Sequence, residues 1–91
     1  MLSDEQRAEL TAAVDRLARA AGPGADGDQR EHWLAVLTTL LAVRDSAEQL
    51  AATAARKAAD HGADYPEIGA AAGMTRQGAR RKWPGLRRAG R

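Results

Sequence analysis

From Asp28 to His61 the chain contains neither proline nor glycine. Asp28 with Glu31 three residues on is a helix-start signature. Unbroken, this segment is a helix of roughly 34 residues and about 50 Å, in a chain of 91 residues. Its first half is apolar nearly all round: Trp33, Leu34, Val36, Leu37, Leu40, Leu41 and Val43. A helix apolar on every side must be covered on every side. The second half is thinner, with Ala47, Leu50, Ala51, Ala54 and Ala58 forming a narrow small-residue stripe. Positions 33, 37, 40, 44, 47, 51, 54 and 58 step by four and three, as in a coiled coil, although Arg44 interrupts them. A second reading places a break near "RDSAEQ", where Ser46 and Gln49 repeat the capping-box spacing.

What covers this segment is then the main question. Ser3 to Ala21 reads as an amphipathic helix, with Ser3 and Gln6 in capping-box spacing and Leu10, Val14, Leu17 and Ala21 at helical intervals. "GPGADG", residues 22–27, ends it. One such helix covers one face of segment two. A second copy of the chain is expected to cover the rest, which makes Trp33, Leu34, Leu37, Leu40 and Leu41 the expected dimer interface. Composition points the same way. The chain has no phenylalanine and only three aromatic residues, Trp33, Tyr65 and Trp83. Its core must come from Leu, Val, Ile and Ala, and a monomer this short is marginal.

Several classes of protein are disfavoured. With no cysteine, disulfides and thiolate metal sites are out. No apolar run has membrane-spanning length, and "MLSDEQRAEL" is acidic and amphipathic, unlike a signal peptide. The expectation is a soluble, cytoplasmic protein with no membrane partner. His32 and His61 are isolated and read as surface or capping residues. Asp4 and Glu5 read as helix-start charges rather than a catalytic pair. No nucleophile–base pair or phosphate-cradling glycine loop is present, so no enzyme, cofactor or small-molecule substrate is expected.

The net charge of +2 hides a division. Residues 1–67 hold all twelve acids and seven bases, while residues 68–91 hold seven bases and no acid. Basic ends commonly meet polyanions. The excess of Arg over Lys is also what a genome rich in G and C produces, together with the many Ala and Gly, so the bias in residue type is not itself a binding signal.

The basic end begins inside "YPEIGAAAGMTRQGARRKW", Tyr65 to Trp83. Gly62 is a natural stop for segment two, and Asp64 a natural N-cap for the next helix. A short helix is expected over Pro66 to Ala72, with Pro66 and Glu67 suited to its first turn. Gly73 supplies a left-handed residue. Thr75 caps a further helix from Arg76 to about Trp83, stopped by Pro84 and Gly85. This is the helix-turn-helix pattern. Gly69 falls where the two helices cross, and Ile68, Ala72, Met74 and Ala79 fall on the face toward a supporting helix. Arg76, Gln77, Arg80 and Arg81 project outward. Arg and Gln are the side chains that read guanine and adenine edges in the major groove.

"EIGAAAGMTRQGARRKW" resembles the helix-turn-helix of many small bacterial DNA-binding proteins, actinobacterial ones especially. It is also similar to the promoter-reading domain of sigma factors. The resemblance is confined to this stretch. It rests on Glu67 and Ile68, the small Gly69, the turn residues Gly73, Met74 and Thr75, and the basic helix that follows. It implies that Thr75, Arg76, Gln77, Arg80 and Arg81 occupy recognition-helix contact positions. The sequence departs from the pattern twice. Lys82 stands where an apolar anchor is usual, with Trp83 one position later, and Gly78 lies inside the recognition helix.

The expected architecture is all-α: an N-terminal helix, a long second helix and a C-terminal helix-turn-helix. The body spans residues 1–61, the helix-turn-helix 62–85 and a basic tail 86–91. The expected partner is double-stranded DNA, contacted by Thr75, Arg76, Gln77, Arg80, Arg81 and Lys82, with Arg87 and Arg88 of the tail. The expected role is a transcriptional regulator or a small nucleoid-associated protein. The alternative is an interaction module whose acidic helical body docks on RNA polymerase or a sigma factor.

Overall fold

The structure, a computed structural model, describes residues 1–21 and 28–86. Its regular elements are all helical: α1 (Asp4–Ala21), α2 (Gln29–Asp60), α3 (Tyr65–Ala72) and α4 (Arg76–Lys82). None of these helices is long and apolar enough to cross a membrane.

Local chemistry fixes the helix ends. At α1 the Gln6 N–H donates to the Ser3 hydroxyl at 3.1 Å, and the Ser3 N–H donates to Gln6 Oε1 at 2.9 Å. This reciprocal pair satisfies two amides that no helical carbonyl reaches. The Asp28 carboxylate accepts from the Arg30 and Glu31 amides at the start of α2. At the other end of α2, His61 Nδ1–H donates to the Lys57 carbonyl at 2.8 Å. Gly62 then turns the chain with a φ of 102°.

Helix α2 is unbroken through "RDSAEQ". A continuous i to i−4 ladder leaves no free amide for Ser46 to cap, so the capping-box spacing there has no structural role. The chain nevertheless divides into two compact units at this point, Met1–Ser46 and Ala47–Arg91. The C-terminal half of α2 belongs with the helix-turn-helix, because it supplies the helix on which α3 and α4 rest.

In the first unit α1 buries Val14 and Ala18. Helix α2 presents half-buried His32, Val36, Thr39 and Val43, which share one face at helical spacing. The neighbouring face, carrying Trp33, Leu34, Leu37, Leu40 and Leu41, is exposed. The heptad positions from 33 to 58 are likewise exposed throughout. Within the chain they do not form a seam, and the intramolecular contacts use adjacent positions instead.

In the second unit Ala55 and Ala59 of α2, Ile68 of α3 and Ala79 of α4 form the buried core. Ala63, Tyr65, Met74, Trp83 and Leu86 pack around it. Small residues at 55, 59 and 79 let three helices approach closely, and the larger partly buried side chains close the edges. Ala72, expected to face the support, is exposed. It lies one position before the C-cap Gly73.

Candidate nucleic-acid interface

Helix α3 starts with a full capping box. The Asp64 carboxylate accepts from the Glu67 N–H at 3.0 Å, and the Asp64 N–H donates to Glu67 Oε1 at 3.1 Å. The helix begins at Tyr65, one residue before the expected start, with Pro66 in its first turn. It ends at Gly73, whose φ of 69° is left-handed and whose N–H donates to the Ala70 carbonyl. The Met74 N–H donates to the Gly69 carbonyl at 2.9 Å and closes the turn.

Gly69 is where α3 meets the turn. A Cβ built there would lie 2.8 Å from the Met74 carbonyl oxygen and 3.0 Å from that of Thr75. Both contacts are with backbone, so nothing flexible can yield. Glycine is required for the crossing, as the sequence pattern implies.

The Thr75 hydroxyl accepts from the Gly78 N–H at 3.0 Å and starts α4. Gly78 is not an open backbone patch. A Cβ there would point at the Thr75 hydroxyl, 3.3 Å away, and at Met74. A Cβ there would ask the Thr75 hydroxyl to give by a few tenths of an ångström. Helix α4 ends at Lys82, with Trp83 as its C-cap. Trp83 packs against the core, one position on from where the pattern has its late apolar anchor.

Arg76, Gln77, Arg80 and Arg81 are exposed, as is Thr75. At 100° per residue the four α4 side chains span an arc of about 140°, opposite the fully buried Ala79. Arg80 leans back, its guanidinium 5.1 Å from the centre of the Tyr65 ring, a cation–π geometry. Lys82 lies off this arc. Its ammonium sits 3.4 Å from Glu48 of α2, an exposed pair that ties the end of α4 to its support. Among the described residues Arg76, Arg80 and Arg81 form no ion pair. Arg87 and Arg88 lie outside the described residues.

Tyr65 is the residue that sequence reasoning passed over. Its hydroxyl donates to the Trp83 carbonyl at 2.7 Å and accepts from the Leu86 N–H at 3.1 Å. A single aromatic at a helix start carries no sequence signal for such a long-range role. Among the described residues no group of three His, Asp or Glu side chains is placed to hold a metal ion.

The chain has no significant match among protein-family models, curated proteins or solved structures. Its function is therefore read from its own residues.

Proposed function

We propose that this protein binds double-stranded DNA through α3 and α4, with α4 as the recognition helix in the major groove. One observation carries the reading: Arg76, Gln77, Arg80 and Arg81 share one exposed arc of a short helix whose sequence contains no acid. Helix-turn-helix units present their second helix to base edges in this way. Arg and Gln offer bidentate donors suited to guanine and adenine. Thr75, exposed at the start of α4, would contact a phosphate or a base edge. Arg80, its guanidinium over the Tyr65 ring, has among the described residues no ion pair that DNA would have to break.

Bound to DNA, the protein would act in transcription control or nucleoid organisation. The test is a gel-shift titration with duplex DNA at two salt concentrations, using wild type and the Arg76→Ala/Arg81→Ala variant. Each base or phosphate contact of this kind is worth about 1–3 kcal/mol, so the variant should bind roughly 30-fold or more weakly while keeping its helicity. A folded variant with unchanged affinity rules the reading out. Selection of bound fragments from random DNA then reports whether binding prefers a sequence.

A further inference from the structure

The first unit has the opposite problem to the second, with much apolar surface and little to bury it. Among its described residues only Val14 and Ala18 are buried. Trp33 is 63% exposed, and Leu34, Leu37, Leu40 and Leu41 are between 43% and 52% exposed. These five side chains occupy one face of α2, an arc of about 120°. Leu10 of α1, 40% exposed, joins them across a groove that it lines together with Val14, Trp33, Val36 and Leu40.

We infer that two copies of this chain associate through this face, so that two α1–α2 pairs make a four-helix bundle. Three observations select a second copy as the occupant. The first is area. The six residues are each 40% exposed or more and together form a contiguous patch on the order of several hundred Å². That is a large part of the about 800 Å² per partner of a standard stable interface, before flanking atoms are added. The second is permanence. A helix pair whose buried core is one valine and one alanine has little to hold it together alone. Its cover must be present whenever the chain is folded, and a second copy always is.

The third is charge. Trp33, Leu34, Leu37, Leu40 and Leu41 carry none, so the face offers nothing to an acidic or a basic partner in particular.

This inference is independent of the DNA reading, and its test uses no DNA. Sedimentation of the wild-type chain from about 1 to 100 µM should give twice the monomer mass of 9.7 kDa. Leu37→Glu should raise the dissociation midpoint roughly 100-fold or more. Leu37 is 52% exposed in the single chain, so the same substitution would be almost silent in a true monomer. A wild-type monomer at 100 µM, with an unfolding temperature that Leu37→Glu leaves unchanged, overturns the inference and assigns the face to another protein. A larger wild-type assembly overturns it as well.

Discussion

Tyr65, at the start of α3, holds Trp83, at the end of α4, by a 2.7 Å hydrogen bond from its hydroxyl to the Trp83 carbonyl. The same oxygen accepts from the Leu86 amide. One side chain thus satisfies a carbonyl and an N–H where the chain leaves its last helix, and its ring lies under Arg80. Tyr65→Phe keeps the ring and removes the clasp. It leaves two partly buried backbone groups without that partner, at a cost of about 1–3 kcal/mol. Urea unfolding followed by circular dichroism measures this. A change within about 0.3 kcal/mol would mean that water replaces the hydroxyl without loss.

The two glycines of the helix-turn-helix should respond differently to the same substitution. Gly69→Ala drives a methyl group into two backbone carbonyls. The turn must open, and a loss of about 2 kcal/mol or more is expected. At Gly78 the nearest atom is the Thr75 hydroxyl at 3.3 Å, a side chain that can shift slightly. Alanine there also gains up to about 1 kcal/mol of helix propensity. The two effects nearly cancel, so Gly78→Ala should stay within about 1 kcal/mol of wild type. Equal destabilisation by both substitutions would contradict the geometry.

The parts legible in the sequence are those decided within three or four residues. Ser3 with Gln6, Asp64, Gly73 and Thr75 all mark their helix ends, because a cap is satisfied by its own neighbours. Gly69 was legible because its spacing to Met74 and Thr75 fixes the crossing. What the sequence could not place depends on distant partners. Tyr65 meets Trp83 across 18 residues and Lys82 meets Glu48 across 34. Nothing in either local pattern reports this. The four-three stepping of α2 describes a face that is exposed in the single chain. The residues that pack the helix-turn-helix, Ala55 and Ala59, sit on an adjacent stripe of similar composition. Alanine on several faces gives periodicity too little contrast to choose between them.

Arg81 and Lys82 are adjacent cations with different surroundings, and DNA affinity should separate them. Arg81 belongs to the exposed arc. Lys82 faces Glu48. In gel shifts at fixed salt, Arg81→Ala should cost about 1–3 kcal/mol of binding. Lys82→Ala should cost less than about 1 kcal/mol in either binding or stability, as expected for an exposed pair. Equal losses in binding would put Lys82 on the DNA-facing side and require a different docking face for α4.

The last five residues contain Arg87, Arg88 and Arg91, and no acid follows Glu67. Their contribution is best separated from folding by ending the chain after Leu86, because the Leu86 amide bonds Tyr65 and its removal would disturb the clasp. With Leu86 kept, circular dichroism and the unfolding midpoint should be unchanged. Binding should weaken for any duplex sequence, since arginines beyond a helix end reach phosphates more readily than a defined set of base edges. The slope of log K against log salt should become shallower by about 0.9 for each phosphate that the tail no longer neutralises, up to about 2.7 for three. Fluorescence anisotropy with an arbitrary labelled duplex at several salt concentrations gives that slope directly. A slope identical to that of the full chain means the tail does not touch DNA, and the affinity then belongs to α4 alone.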